Sequence, residues 1–469
     1  DVQERFGVGG VGGRAALRLW AEVKRGAPVE ATADVALADA GATLAPGLPP
    51  LALAQLRTRL VWRALDGGFQ LKTQALQFTE TGGKTWPGGN FQFSHRAAGG
   101  TLLGDRLDLA ALSRLATRLP LPAAARERVQ LLGVAGLIES VDASWSGPLQ
   151  TPTGWRVQAS ATGLRVAAQA QAPDAHGHEP VGLPGLEGVA LQLEAGPAGG
   201  RASVTLRDGA LTFPGVFEEP RIALAQLSAK LQWRVQGERI EVQADELELA
   251  NADAAGRFKA RWHTDEAEGG ARFPGVLDLQ GAFSRAKAAR VHRYLPLSLP
   301  VEARHYVRDA IRQGEGRNVA VRVQGKLHEL PFNLPGEVGT FRIAGPLSGV
   351  AMNYVPARLQ PAGQAPWPAL EALSGELISE GAGMQVRGGA ARVQGHPGWR
   401  FEGIQADIPH FKQAVVQVQA QGRGVLAAAL DIVRRSPVAQ FTHHALDGAQ
   451  ASGDAALELK LDLPIADVE

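Results

Sequence analysis

The run "ALELKLDLP" sets Leu457, Leu459, Leu461 and Leu463 against Glu458, Lys460 and Asp462. Only an extended chain, whose successive side chains point to opposite faces, sorts such an alternation into one dry side and one wet side. The same period recurs along the chain. "RAALRLWAEVKRG" puts Leu17, Leu19, Ala21 and Val23 on one side and Arg18, Trp20, Glu22 and Lys24 on the other. "RIEVQADELEL" does so with Ile240 and Val242, then Leu247 and Leu249. "NVAVRVQGKL" sets Val319, Val321 and Val323 against Ala320, Arg322 and Gln324. One apolar and one polar face mean antiparallel sheet, because strands buried on both sides lose the alternation. With 57 Gly and 29 Pro in 469 residues and no collagen period, the turns and strands are many.

One segment breaks the pattern. Between Arg293 and Gly314, Ala303, Tyr306, Val307, Ala310 and Ile311 fall at i, i+3, i+4, i+7 and i+8. Pro300 suits the first helical position and Gly314 the stop, so the spacing predicts an amphipathic helix from Pro300 to Gln313.

A long repeat sits above the strands. "RTRLVWRALDGGFQLKTQALQF" from Arg57 corresponds to "SAKLQWRVQGERIEVQADELEL" from Ser228. Trp62 aligns with Trp233, Phe69 with Ile240, Leu71 with Val242, Leu76 with Leu247 and Phe78 with Leu249, at one constant offset. Each copy then reaches an "LDL" (Leu107, Leu277), a helical stretch, an "LPL" (Leu119, Leu295) and a Pro-initiated helix with an Ala-Arg pair (Ala125-Arg126, Ala303-Arg304). A looser third copy starts at Leu370. The expected organisation is a first strand repeat with a helical end over residues 1–125 and a second over 126–300. A helix followed by further strands occupies 301–469, the whole stacked and elongated.

Charge and motifs exclude several functions. There are 48 Lys and Arg against 47 Asp and Glu, and no basic stripe with interleaved aromatics, so nucleic acid is not an expected partner. The absence of Cys suits an oxidising compartment. No apolar run is long enough for a membrane-spanning helix. Gly7, Gly9 and Gly12 form G-x-G-x-x-G, but the segment after them alternates as a strand, so it is no dinucleotide loop. His176 and His178 beside Asp174 and Glu179, and the pair His443-His444, read as polar loops rather than zinc sites. Asp245-Glu246 and Glu218-Glu219 read as strand neighbours facing opposite sides, unable to share acid–base work. Trp62 and Trp233 share a face with Leu60 and Leu231 and read as packing residues. Tyr294 and Tyr306, beside Arg293 and Arg304, read as surface residues. Neither a catalytic group, a metal nor a cofactor is expected, and the chain does not read as an enzyme.

The stretch "GAFSRAKAARVHRYLP", the helix after it, and the "VAVRVQGKL" strand leading to Pro331-Phe332 resemble the central region of the YhdP family of AsmA-like proteins. "GLIESVDASWSG", "LPGLEGVALQLEAG" and "ALELKLDLPI" resemble further strands of that family, in the same order. The chain departs from it at Tyr306-Val307, where the family tends to Trp-Leu, and at Leu330-Pro331-Phe332. The resemblance implies a mainly β fold: an elongated, twisted antiparallel sheet curled into an apolar groove, with a few short amphipathic helices. It also implies a periplasmic protein of a Gram-negative envelope, held at the inner membrane by an anchor that precedes this region. Its function there would be to conduct phospholipids toward the outer membrane, with docking proteins at the ends. On that reading the apolar residues of the four alternating runs line the groove. Ala303, Tyr306, Val307, Ala310 and Ile311 form a lid over part of it. The rival reading is a structural β-rich envelope or adhesin-like rod with a dry core.

Overall fold

The computed structural model describes residues 9–119, 123–148, 151–172, 180–265, 272–411 and 415–464. It is mainly β with a few short helices, as the alternation predicts, and the strand pairings are antiparallel. The chain forms two compact units. One comprises residues 1–171, 182–213 and 221–238, the other 172–181, 214–220 and 239–469. The repeat boundaries concern recurrence of pattern, and the unit boundary between Glu238 and Arg239 lies inside the second repeat.

The first unit is a meander in which each strand pairs with the one before it. Its strands are β1 (Gly9–Lys24), β2 (Ala27–Thr43), β3 (Leu51–Leu65), β4 (Gly68–Glu80), β5 (Asn90–Arg96), β6 (Gly99–Asp108), β7 (Ala135–Ser146), β8 (Gly154–Val166), β9 (Gly185–Gly196), β10 (Gly199–Thr212) and β11 (Arg221–Gln236). Its two edges differ. Two-residue turns at Arg25-Gly26, Asp66-Gly67, Ala97-Ala98 and Pro197-Ala198 close one edge. Positive φ at both Arg25 and Gly26 gives the first turn the twist that hairpins need. The other edge carries the longer segments 44–50 and 81–89 and the helices α1 (Leu109–Ala116) and α2 (Ala123–Leu132). Asp108 starts α1 by accepting the Ala111 backbone N–H on Oδ1 at 2.6 Å.

The second unit continues the pattern with β12 (Arg239–Ala250), β13 (Ala254–His263) and β14 (Val276–Lys287). A 3-10 turn (Ala288–Tyr294) and α3 (Val301–Ala310) follow. The next rung is made of two strands end to end, β15 (Ile311–Gly316) and β16 (Val319–Lys326), both lying between β14 and β17 (Gly339–Met352). Asn318, at φ 53°, breaks this rung. Then come β18 (Leu370–Glu380), β19 (Gly383–Val393), β20 (His396–Ile408), β21 (Val415–Val425), α4 (Leu426–Arg434), α5 (Val438–Phe441) and β22 (Asp454–Pro464). In an antiparallel meander every second connection falls on the same edge. The helices after β14 and those after β21 are an even number of rungs apart, so both sit on one edge of this sheet.

Helix α3 is shorter than its apolar spacing predicts. Pro300 precedes the helix, with Val301 opening it, and Ile311 is already extended at φ −93°, ψ 110°, and paired with Met352. Ile311 therefore belongs to the sheet rather than to the helical stripe, and Gly314 lies within β15 instead of stopping the helix. Ile311 satisfies the helical period, but β14 and β17 offer residues 311–316 ladder hydrogen bonds that a further helical turn cannot match.

Candidate functional site: the apolar faces of the two sheets

The strand registers align one side chain per strand into rows crossing each sheet. In the first unit one row starts at Ala21 and passes through Ala31, Trp62, Leu71 and Phe93 on β2 to β5. It continues through Leu102, Ala143, Val157, Ala195 and Gly200 to Trp233 on β11. Every member is apolar. One residue over, the opposite face reads Glu22, Glu30, Arg63, Gln70, Ser94, Thr101, Ser144 and Arg156. Cross-strand ion pairs lace that face, among them Arg63–Glu30 at 2.9 Å and Arg59–Asp34 at 2.6 Å. The Arg59 hydrogen bond holds the Asp34 carboxyl below the ordinary range.

Burial across the apolar face is graded. The row from Ala21 to Trp233, near the hairpin edge, contains no fully buried residue. Toward the helical edge, Leu107, Ala161, Val189, Leu206, Leu224 and Ala229 are all buried. Helix α1 accounts for part of this, since Ala111 packs with Leu53, Phe78, Leu107 and Trp86. Trp86 stacks on Phe78 with centroids 5.3 Å apart and donates Nε1–H to the Gly89 carbonyl. The helix is pinned by Glu80, only 6% exposed, which receives Arg114 at 2.8 Å and Arg118 at 3.1 Å.

Near the hairpin edge the apolar face is aromatic. Phe69, Phe93, His95 and Trp145 are in ring contact at 5.7–6.3 Å. The Trp145 ring lies across Gly100 of the next strand and the Trp233 ring across Gly200. A Cβ at either glycine would come within 2.5 Å of the indole. Among the described residues, His95 Nδ1 and Trp145 Nε1 are buried without a hydrogen-bond partner.

In the second unit a row runs from Leu249 through Gly256, Phe283 and Val319. Beyond the break in β15–β16 it resumes as Gly345, Leu377, Val386, Ala406, Val418 and Leu461. A neighbouring row holds Leu247, Phe258, Gly281, Val321 and Ile343. Part of this face is filled by its own side chains. Phe258, Val321 and Val323 form a buried cluster with Leu277, Leu279, Phe283 and Phe341 around them. Another part is filled by α3, whose Tyr306 and Ala310 pack with Ile408 and Val416 and against Met384, Ala406 and Val418. Helix α3 thus packs on the apolar face over β19, β20 and β21. Ala310 is fully buried, and Tyr306, 6% exposed, donates its hydroxyl to the Tyr354 carbonyl at 2.9 Å. Burial pushes the Tyr306 phenol up to about 12.

Ionic contacts also hold the α3 segment. Glu218 accepts from Arg304 and, at 3.2 Å, from His305. Asp253, 5% exposed, takes Arg293 at 2.6 Å and the Tyr294 hydroxyl at 3.1 Å, while Glu219 takes Arg293 at 2.9 Å. These contacts correct three readings. Glu218 and Glu219 are not strand neighbours but lie in a connection, both turned to the helical segment. Tyr306 is core. Tyr294 is half-buried and bonded to Asp253 and Asn251.

The remaining predicted groove residues are placed as follows. Leu17 and Leu19, 63% and 62% exposed, stand on the terminal strand β1, with Leu19 opposite Ala33. Val23 is exposed beside Pro28. Ile240 is held by its backbone N–H to Thr264 Oγ1, and Val242 pairs with Trp262. Leu457, exposed, faces Gly422; Leu459 faces Ala420; Leu463 faces Val416 in backbone register. Ala303 and Val307 are half-buried. Arg322, assigned to the outer face, bonds Asp278 at 2.8 Å. His176 and His178 lie outside the described residues, as do Asp174, Glu179 and Gly7. His443 and His444 follow α5, where His444 bonds Asp447 at 3.0 Å. The clamp of Glu80 by Arg114 and Arg118 and the seat of Trp86 were invisible in sequence, because their partners are far apart along the chain. The Trp-over-Gly contacts had a signal: "AGG" recurs at Ala98-Gly99-Gly100 and Ala198-Gly199-Gly200.

These features define a class: antiparallel meanders with one charged face, and one apolar face partly covered by helices inserted at a single edge. The chain belongs to the YhdP family, whose description, YhdP protein, matches residues 3–469. No curated protein and no solved structure matches it. Membership points to an AsmA-like envelope protein. Among the described residues, no helix is long and apolar enough to cross a membrane.

Proposed function

We propose that this chain is a segment of a periplasmic, bridge-like lipid-transfer protein, and that its apolar sheet faces form a groove for phospholipid acyl chains between the inner and outer membranes. The observation that carries the reading is the row from Ala21 to Trp233: one apolar residue on each of eleven successive strands, none of them fully buried. At about 4.8 Å per strand, such a row is roughly 50 Å long. Alkyl chains laid along it leave water at about 0.8 kcal/mol per methylene. A track of many equivalent positions, without a deep pocket, lets chains slide. The full-length protein would be held at the inner membrane by an anchor, with docking proteins at its ends, and neither a cofactor nor a metal has a part in this reading.

A structural reading is favoured at one place, the packed cluster around Phe258, Val321 and Val323, which resembles a dry core. The two readings separate in a transfer assay with a fluorescent phospholipid between donor and acceptor vesicles. The purified chain should bind the lipid and accelerate its exchange, and Leu102→Asp should reduce both severalfold at unchanged secondary structure. A chain that neither binds nor exchanges the lipid is the rod.

A further inference from the structure

We infer that in the first unit the acyl chains keep to one strip of the apolar face, the hairpin-side strip that contains Leu71, Phe93, Leu102 and Trp233. This inference rests on the transport reading and specifies where its ligand lies. Three observations place it. The helix-side strip is already filled: Val189, Leu206 and Leu224 of β9 to β11 form a buried cluster of their own, and over β3, β4 and β6 α1 packs Ala111, 2% exposed, against Leu53, Phe78 and Leu107, with Trp86 closing that cluster at 3% exposure. That occupant is fastened: Glu80 is held by both Arg114 and Arg118, so a ligand entering there would have to break two ion pairs around a buried carboxylate. Among the described residues the hairpin-side strip has no such cover. It stays half-exposed along ten of its eleven positions, Ala21 on the terminal strand being exposed outright.

The floor of that strip also fits alkyl chains. Trp145 lies down on Gly100, and Trp233 on Gly200, because glycine alone leaves room for the ring. Flattened indoles, together with the alanines at 31, 143 and 195, keep the surface low between the larger side chains Leu71, Leu102 and Val157. A methylene chain crossing from strand to strand along the row contacts apolar side chains and rings by dispersion, and the nearby His95 Nδ1 and Trp145 Nε1 are buried beneath the surface. The ligand class is an amphiphile with long saturated or unsaturated tails. Its polar head is left outside the strip, since no charged side chain belongs to the row.

Site-specific photo-crosslinking tests the placement. A benzophenone amino acid is introduced singly at Leu71 and Leu102 in the strip, and at Leu56 and Ile138 under α1, in the full chain. Each variant is incubated with vesicles of radiolabelled phosphatidylethanolamine and phosphatidylglycerol and irradiated. Labelling at 71 and 102 is expected to exceed that at 56 and 138 by tenfold or more. Equal labelling of both strips, or stronger labelling under the helix, overturns the placement while leaving lipid binding in force. No labelling at any of the four positions overturns the transport reading and the placement with it. A second pair guards against misfolded variants. Leu102→Trp adds bulk to an open strip and should keep the melting temperature while bound lipid falls severalfold. Leu107→Trp overfills a packed one and should lower the melting temperature. The opposite pattern contradicts the assignment of strips.

Discussion

Single side chains already separate a lined surface from a filled one. Leu102 is half-buried in the open strip, whereas Val321 is 9% exposed within the Phe258 cluster. An aspartate at 102 can hydrate, so Leu102→Asp should cost about 1 kcal/mol, the usual cost of a tolerated substitution. Val321→Asp buries an unpaired carboxylate and should cost on the order of 4 kcal/mol or more. Urea unfolding of the two variants measures the difference, and equal losses would mean that the two sites are equally dry. His95 offers a test of opposite sign. Its Nδ1 is buried without a partner beside Phe69 and Phe93. His95→Phe removes the unpaired nitrogen and extends the aromatic contact, so stability should rise by about 1 kcal/mol, read as a higher urea midpoint.

At the scale of elements, α3 is the part whose hold on the sheet can be weakened without touching the ladder. The hydrogen bond from His305, with Arg304 close by, keeps the Glu218 carboxyl below its ordinary value of 4.5 against the opposing effect of burial. A carboxylate with a depressed value contributes stability above its unfolded value, and this is lost as pH falls through the folded one. Amide exchange in Val301–Ala310 should therefore accelerate, relative to β20, as pH drops below about 4.5, once intrinsic exchange rates are divided out. Glu218→Gln should show the faster exchange already at neutral pH and little further change on acidification. Exchange in α3 that follows global unfolding at every pH would make the helix ordinary core. Ala310, with no exposed surface, has no room for growth: Ala310→Leu should cost about 1–3 kcal/mol and loosen α3 first, a difference the same exchange experiment resolves. The sequence pattern located this helix correctly because the 3.6 spacing of Ala303, Tyr306, Val307 and Ala310 is local. It misplaced the end because Ile311 answers to Met352 across the sheet, a partner that no local period reveals.

Across the whole molecule, what was legible is what repeats. Alternation gave the antiparallel strands, since a charged face beside an apolar one has no other regular solution. Constant offsets between Trp62 and Trp233, and between Leu71 and Val242, mark a recurrence of sequence pattern, with each of these residues on a strand. Long-range pairing was not legible. Nothing near Glu80 announces Arg114, nothing near Glu218 announces Arg304, and burial that separates Val321 from Leu102 depends on Phe258 and α1, which are distant in sequence. These side chains settle which part of each apolar face is free, and so they carry the functional argument. On the proposed function the free part holds phospholipid. The most direct measurement is organic extraction and mass spectrometry of the chain purified without detergent from a Gram-negative host. Phospholipid should be recovered at one or more molecules per chain, and Leu102→Trp should lower that amount severalfold. A folded chain recovered free of lipid would contradict the account.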